Sequence, residues 1–205
     1  MNGGKQRYSV PAALLGVVLL HSAVWAAPSF DCSKVEAGST EELICKDEEL
    51  SALDHEMDRL YRKVRSQTTD EDFRMIQAAQ KGWLSGRNES WKADDPRQFV
   101  KDAYQGRIAI LSVQAGEQMV PDPVSYDCAG GEFELLTATF YDTSPPVGVF
   151  TRTPGGDWPQ YIANGWEDSG AIHYNTGGLD FIDRNGNAEL NWAGTLMTCA
   201  RRPSQ

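Results

Sequence analysis

The chain has 205 residues, of which 40% are hydrophobic and 23% are charged, so it can bury a hydrophobic core and is not an intrinsically disordered chain. It carries 19 Lys and Arg residues against 29 Asp and Glu residues, a formal net charge of −10. This excess of negative charge argues against nucleic acid or anionic lipid as the main partner and favours a basic one.

The first 26 residues have the pattern of a secretory signal peptide. Lys5 and Arg7 precede an apolar run from Val10 to Leu20 and a small-residue site that ends at Ala26. Cleavage after Ala26 leaves 17 cations and 29 anions, a net charge of −12. No cysteine follows this site directly, so we expect neither the lipid-modified cysteine of a bacterial lipoprotein nor another membrane anchor. The sequence therefore predicts a periplasmic or secreted protein.

Four cysteines follow the predicted leader: Cys32, Cys45, Cys128 and Cys199. An even number in an oxidising compartment favours disulfides, and three pairings are possible. The composition of the chain changes near residue 119, which favours one bridge in each half, Cys32 with Cys45 and Cys128 with Cys199. No C-x-x-C pair or nearby histidine has the spacing of a zinc site, so no metal is predicted.

Residues 27–118 have the pattern of a small helical domain. Ser39 and Glu42 have the spacing of a capping box, which predicts the start of a first helix. Apolar residues then recur at three, four or seven positions, as on one face of a helix: Leu43, Leu50, Leu53, Met57, Leu60 and Val64.

Two further helices are predicted in this domain. One runs from Thr69 or Asp70 towards Arg87, and the other begins at Asp95 with Pro96 at its first helical position. The inward side of the former comprises Phe73, Ile76, Gln80, Trp83 and Leu84. The inward side of the latter comprises Phe99, Ala103, Ile108 and Leu111.

A linker at residues 119–125 separates this domain from a predicted β domain at residues 126–205. Residues 119–205 contain 11 of the 19 Gly and 7 of the 10 Pro residues, and 4 cations against 11 anions. Short apolar runs between glycine-rich turns predict an antiparallel sandwich or barrel: Phe133 to Phe140, Val147 to Thr151, Leu179 to Ile182 and Ala188 to Trp192. Asn185-Gly186 is the strongest hairpin signal. The fold class is therefore α+β with two domains.

The sequence offers little support for an enzyme. His55 lies among acidic residues of a helix, as an exposed residue would. His173 follows Ser169 by four positions, but Asp168-Ser169-Gly170 lacks the G-x-S-x-G elbow that exposes a serine nucleophile. We therefore predict no catalytic residues, and no motif requires a cofactor.

The segment from Asp183 to Asn187 has some features of a calcium loop. Its glycine stands at the fourth position instead of the sixth, and no glutamate stands at the twelfth. A turn explains these residues better than a metal site does.

The second half resembles the MliC family of bacterial inhibitors of c-type lysozyme. The residues that carry the resemblance are Tyr126-Asp127-Cys128, Ser169-Gly170-Ala171 with Tyr174, the segment Phe181 to Ala188, and Cys199. In that family the middle segments read approximately Ser-Gly-Ala-Arg-Tyr and Phe-Trp-x-Lys-Gly-x-x-Ala. Three departures stand out. Ile172-His173 occupy the place of a single residue, which lengthens that loop by one. Ile182 replaces a tryptophan and Arg184 replaces a lysine.

The first half resembles the LprI-type domain, a helical secreted module that is also associated with lysozyme inhibition. The matching residues are Asp31-Cys32, Glu42, Ile44-Cys45, Leu53-Asp54, Tyr61, Gln80 to Leu84, and Arg87-Asn88. That family often has a further cysteine shortly after this arginine, where Ser90-Trp91 stand here. The absence of a second helical bridge agrees with the pairing of Cys32 with Cys45.

The MliC resemblance implies that a serine loop and a basic hairpin residue enter the lysozyme cleft. The lysozyme-binding residues would be Ser169, Gly170, Ala171, Tyr174 and Arg184. The residues themselves allow a simpler explanation, with Ser169 in an ordinary turn and Arg184 paired with Asp180 and Asp183. A non-inhibitory envelope module that binds peptidoglycan or another wall enzyme is the alternative function, and a hydrolase is the third.

Overall fold

The computed structural model describes residues 27–153 and 160–203, so the predicted signal peptide at residues 1–26 lies outside the described residues. The chain forms a helical domain followed by a closed antiparallel β-barrel. The predicted α+β class with two domains is confirmed. Among the described residues, no helix combines the length and apolar character needed to cross a membrane.

Four helices form the first domain: α1 (Thr40–Lys46), α2 (Glu48–Gln67), α3 (Asp70–Arg87) and α4 (Pro96–Gln114). The predicted start of α4 and both ends of α3 are confirmed. The first predicted stripe is divided between α1 and α2, because the chain leaves the helical conformation at Asp47. The carboxylate of Asp47 caps α2 by accepting a hydrogen bond from the Leu50 N–H at 3.0 Å.

Side-chain caps explain why these helices begin where the sequence predicts. The Ser39 hydroxyl accepts a hydrogen bond from the Glu42 N–H at 3.1 Å, and the Glu42 carboxylate accepts one from the Gly38 N–H at 2.8 Å. Asp95 caps α4 by accepting from the Gln98 N–H at 3.0 Å, directly before Pro96. Each cap satisfies a backbone donor that has no partner inside the helix.

The helical core lies mainly between α2 and α4, and the predicted inward face of α4 is wrong at its start. Phe99 is 38% exposed, whereas Val100 and Tyr104 are fully buried. The inward stripe continues through Arg107, which is 6% exposed. A charged residue at an inward position hides the true stripe, so a search for apolar residues selects Phe99 instead.

One buried polar network joins all four helices. Arg87 of α3 donates from Nη1 to the Tyr104 hydroxyl of α4 at 2.8 Å, and that hydroxyl donates to Asp54 Oδ1 of α2 at 2.8 Å. Arg87 also pairs through Nη2 with Glu41 of α1. The second oxygen of Asp54 accepts from the Ser29 N–H at 2.5 Å, which fixes the segment that follows the predicted leader. Burial raises the pKa of Tyr104, so its hydroxyl stays protonated and able to donate.

The barrel contains eight strands: β1 (Val124–Ala129), β2 (Leu135–Tyr141), β3 (Val147–Thr153), β4 (Gln160–Asp168), β5 (Ala171–Thr176), β6 (Leu179–Arg184), β7 (Asn187–Trp192) and β8 (Thr195–Arg201). They pair in sequence order, and β8 closes the barrel against β1. The predicted apolar runs match β2, β3, β6 and β7, whereas β1, β4, β5 and β8 lie outside those runs.

Both predicted disulfides are confirmed. Cys32 bridges to Cys45, and Cys128 bridges to Cys199. The second pair stands directly opposite in the register between β1 and β8, so it fastens the strands that close the barrel.

Aromatic rings fill the barrel interior near the end that carries the predicted site. Phe150 and Phe181 lie with ring centroids 4.9 Å apart, and Tyr174 packs 5.5 Å from Phe150. A Cβ atom at Gly148 would stand 2.6 Å from the Phe150 ring, and one at Gly165 would stand 2.7 Å from the Tyr174 ring. These two positions require glycine because the rings occupy the space of a side chain.

Helix α4 packs against the outer face of β3 and β4. One close contact involves Gly106, where a Cβ atom would stand 2.7 Å from Asn164 Nδ2. Val147 points outward from β3 and is fully buried. The helical domain therefore covers this side of the barrel.

Glu117 ties the chain after α4 back to α2. Its carboxylate pairs with Arg59 at 2.8 Å and with Lys63 at 2.7 Å. Hydrogen bonds from Arg59 and then Lys63 lower the pKa of Glu117 to about 2. This ion pair therefore depends on pH in the acidic range.

Replacement of Tyr104 by Phe tests the buried network. The change removes a hydrogen-bond partner from both Arg87 and Asp54, so we expect the free energy of unfolding to fall by about 1.5 to 3 kcal/mol. Urea denaturation measures this loss. Tyr61→Phe is the control, because the Tyr61 hydroxyl makes no hydrogen bond among the described residues. A loss of more than about 0.5 kcal/mol in this control would mean that the loss in Tyr104→Phe does not come from the network alone.

Replacement of Glu117 by Gln tests the acid dependence. Because the folded-state pKa is depressed, the stabilisation from this ion pair is complete above the ordinary pKa of 4.5 and is lost as the pH falls towards about 2. We expect the melting temperature of Glu117→Gln to fall less steeply over this range than that of the wild type. Glu132→Gln, at an exposed barrel position, should retain the wild-type slope.

Candidate functional site

The predicted site segments lie at one end of the barrel. Neighbouring strands run in opposite directions, so the β2–β3 loop and the β4–β5 and β6–β7 turns share an end with the start of β1 and the end of β8. We call the end formed by residues 142–146, 169–170 and 184–186 the rim. The topology therefore brings the Ser169 turn and the hairpin after Arg184 to the same surface.

Ser169 and Gly170 form the tight turn between β4 and β5. Their φ angles are 52° and 83°, and Asp168 pairs with Ala171 across the turn, as in a type I′ hairpin. Ser169 is exposed, and its hydroxyl donates to Asp168 Oδ1 at 3.1 Å. The expected longer loop is wrong, because Ile172 and the next residue pair with β4 inside strand β5.

Arg184 is the last residue of β6 and stands before a second turn with positive φ at Asn185 and Gly186. Continuing the β5–β6 register beyond its last pair places Ala171 level with Arg184. The Arg184 side chain is 47% exposed and pairs through Nη1 with Glu189 at 3.2 Å. The expected pairing with Asp180 and Asp183 is therefore replaced by a pairing with Glu189. An exposed pair of this kind is weak, so the guanidinium can change partner at low cost.

Asp183 positions the hairpin that presents Arg184. Its Oδ1 accepts from the Gly186 N–H at 2.6 Å, and its Oδ2 accepts from the Tyr126 hydroxyl at 2.8 Å. Arg201 of β8 lies 3.3 Å from the same Oδ2. The turn interpretation of this segment is confirmed, but sequence reasoning missed the link to β1 and β8. Burial raises the pKa of Tyr126, which keeps its hydroxyl a donor.

Tyr174 lies inside the barrel and is only 4% exposed. Its ring packs 5.3 Å from that of Phe140, and burial raises its pKa to about 12. Together with Phe181 it lines a cavity of about 440 Å³ at the mouth of the barrel. So little of the side chain is exposed that Tyr174 supports the barrel interior and offers almost no surface to a partner.

The site does not have the geometry of a serine hydrolase. The Ser169 hydroxyl bonds to Asp168, while His173 Nε2 lies 2.6 Å from Asp180 Oδ1. A nucleophile needs its hydroxyl within reach of the base, and these two side chains have other partners. Within residues 27–153 and 160–203, no three His, Cys, Asp or Glu side chains are grouped so that they could hold a metal ion.

A second cavity lies in the helical domain. It has a volume of about 770 Å³ and is lined by residues 29–31 and 34–36 together with side chains of α2 and α3. Met57, Tyr61 and Leu84 supply apolar surface, and the buried Asp54 and Arg87 supply polar groups. This cleft can therefore accept a mixed polar and apolar group.

Comparison with known proteins identifies a similarity in the helical domain. A family described as "Lysozyme inhibitor LprI" matches residues 32–117. This match confirms the resemblance to the LprI-type domain. The matched range includes all four helices and the bridge from Cys32 to Cys45.

Full-length relatives extend the similarity beyond the helical domain. The proteins named "Lipoprotein LprI" from Mycobacterium bovis and from two strains of Mycobacterium tuberculosis are each 27% identical over 174 residues. The alignment covers 85% of this chain and 84% of each relative. It is longer than the matched family region, so part of it lies outside the helices. No solved structure gives a significant match to the chain. The resemblance of the barrel to the MliC family stays a prediction.

Replacement of Asp183 by Ala tests how the hairpin is held. The change leaves the Gly186 N–H and the Tyr126 hydroxyl without their acceptor, so we expect the free energy of unfolding to fall by about 1 to 3 kcal/mol. Asp127→Ala is the matched control, because Asp127 is an exposed barrel aspartate whose one partner among the described residues is Arg202 at the surface. Equal denaturation midpoints for the two variants would contradict the proposed role of Asp183.

Proposed function

We propose that the protein is a periplasmic or secreted inhibitor of c-type lysozyme, and that it acts as a binding protein and not as an enzyme. The match of residues 32–117 to a family described as a lysozyme inhibitor carries this proposal. The relatives named LprI support it, because their similarity spans most of this chain.

Ser169 and Arg184 of the rim would enter the lysozyme cleft. Lysozyme cleaves glycans with one carboxylic acid held protonated in an apolar pocket and one ionised carboxylate. The Ser169 hydroxyl can donate to and accept from the protonated carboxylic acid, and the Arg184 guanidinium can pair with the ionised carboxylate. Neither side chain contains a glycosidic bond, so the two would occupy the cleft and lysozyme could not cleave them.

The rigidity of the rim supports this role. Ser169 stands in a two-residue turn between paired strands, and the hairpin beside Arg184 is fixed by Asp183. Side chains that are ordered before binding lose less conformational entropy on association. The exposed pair with Glu189 would be exchanged for a desolvated pair with a lysozyme carboxylate.

Charge favours a fast encounter between the two proteins. The chain after the predicted leader carries 17 cations and 29 anions, and residues 119–205 carry 4 cations against 11 anions. Lysozymes of the c-type are strongly basic, so the field of this protein attracts them and increases the association rate. Arg184 is then a local cation inside an attractive negative surface.

The helical cleft is a second candidate for the contact, because it lies within the region that matches the family. A contact through this cleft would leave inhibition insensitive to changes at the rim. A non-inhibitory envelope module is the alternative function. Co-sedimentation with peptidoglycan, compared with capture on immobilised lysozyme, distinguishes that module from an inhibitor.

Substitutions at the rim test the cleft contact. Arg184→Ala leaves a lysozyme carboxylate unpaired, so we expect a loss of about 2 to 5 kcal/mol in binding, mainly through faster dissociation. Ser169→Ala removes one hydrogen bond and should cost about 0.5 to 1.5 kcal/mol, or about 3 if the partner is charged. Inhibition assays and association kinetics with lysozyme measure both effects.

Arg62→Ala is the matched control, because it removes the same charge from an exposed residue of α2, away from the rim. Its binding should stay close to that of the wild type. Arg184→Lys shows whether a point charge is enough for inhibition. Near-full inhibition would fit the lysine of the MliC family, whereas a large loss would indicate a bidentate contact. Unchanged inhibition by both alanine variants at the rim would exclude the cleft contact.

A further inference from the structure

An exposed tryptophan stands on the outer wall of the barrel next to the rim. Trp166 lies on β4 shortly before the Ser169 turn, and its side chain is 47% exposed. Its neighbours Gly165 and Tyr174 form an inward-facing pair, so Trp166 points outward. Helix α4 reaches Asn164 on the same outer face, and the next outward residue towards the rim is Trp166. This large aromatic side chain therefore remains accessible beside the proposed contact.

The indole of Trp166 is held in place by His173. The two residues pair directly across β4 and β5, and their ring centroids are 4.5 Å apart with an interplanar angle of 35°. His173 is itself fixed, because its Nε2 lies 2.6 Å from Asp180 Oδ1. Asn175 donates to the other oxygen of Asp180 at 3.2 Å. One face of the indole thus rests on an ordered imidazole, which limits its freedom before any partner binds.

Carboxylates surround this aromatic pair. Asp168 Oδ2 lies 4.0 Å from His173 Nδ1, and the Asp168 and Asp180 side chains are 44% and 47% exposed. Arg184 of β6, a cation near the rim, pairs with Glu189. An aromatic ring combined with acidic groups attracts an ammonium or guanidinium group, since the ring face is negative and tryptophan binds cations best.

We propose that Trp166, Asp168 and Asp180 form a cation platform that receives a lysine or arginine side chain from the edge of the lysozyme cleft. This inference rests on the proposed function, because the rim turn that would enter the cleft follows directly after β4. The occupant is basic because the platform and the barrel are acidic, and lysozyme is a cationic protein. The platform would then determine which lysozymes are bound tightly, according to whether a cation stands beside the cleft.

A series of substitutions at Trp166 tests the platform by calorimetry and binding kinetics with egg-white lysozyme. A cation–π contact of about 0.5 to 2 kcal/mol corresponds to a loss of roughly 2-fold to 30-fold in affinity for Trp166→Ala. Trp166→Phe should retain part of the affinity, while Trp166→Leu should resemble the alanine variant despite its apolar surface. Trp91→Ala is the matched control, because Trp91 is 75% exposed in the helical domain and should not affect binding.

A double-mutant cycle with Arg184→Ala distinguishes direct contact from support of the rim. If Trp166 contacts its own lysozyme cation, the losses from Trp166→Ala and Arg184→Ala add. If Trp166 only orders the rim, its effect disappears once Arg184 is removed. Trp166→Phe keeps a ring against His173, so it preserves the test if the alanine variant disturbs folding.

The possible outcomes separate this inference from the proposed function. Wild-type affinity in Trp166→Ala, or equal affinity in the phenylalanine and leucine variants, would overturn the platform while inhibition by the wild type stands. A Trp166 effect that disappears in the Arg184→Ala background would also overturn it. Failure of the wild-type protein to bind lysozyme would overturn the proposed function, and the platform with it.

Discussion

The rim depends on closure of the barrel between its first and last strands. Cys128 of β1 and Cys199 of β8 stand opposite each other and are bridged, so the ends of the sheet are joined covalently as well as by hydrogen bonds. A bridge that spans 71 residues stabilises the folded state by about 4.4 kcal/mol in the chain-entropy model. Asp183 lies near this seam and contacts both Tyr126 and Arg201. The hairpin that presents Arg184 is thus attached to the strands that close the barrel, and its position depends on that closure.

The helical domain contributes a second constraint through α4. The helix is tied to its own domain by the hydrogen bonds of Tyr104, and it packs on the barrel where Gly106 meets Asn164. This contact covers the outer face of β3 and β4 as far as Asn164. Trp166 is the next residue of β4 that faces outward. The helical domain therefore determines which part of the barrel wall stays accessible. This is a structural role of the same region that matches the lysozyme-inhibitor family.

Much of the fold follows from local sequence signals, and most of the site does not. Ser39, Asp95 and Pro96 mark helix starts because capping acts within a few residues, and the Asn185-Gly186 turn follows from the backbone freedom of its residues. The burial of Tyr174 and the stacking of Trp166 on His173 depend on which strands become neighbours and which face points inward. Those properties are fixed by the register of the whole barrel, so a single sequence does not reveal them.

The same limit explains the errors on α4 and the β4–β5 turn. Arg107 can be buried because it donates a hydrogen bond to Gln80 on another helix. As a charged residue it interrupts the apolar stripe of α4, and the sequence near it does not reveal that partner. Ile172 belongs to a strand because β4 and β6 flank it on both sides. In each case a long-range partner decides the outcome, and local patterns carry no information about it.

Backbone hydrogen exchange of the whole protein, measured with and without lysozyme, tests most directly whether the rim is the contact. A contact at the rim predicts slower exchange in complex within residues 166–174 and 182–187, with little change in residues 29–36 and in α3. Protection confined to residues 29–36 and the helices around the 770 Å³ cleft would contradict it. Such a result would place the lysozyme contact in the helical domain.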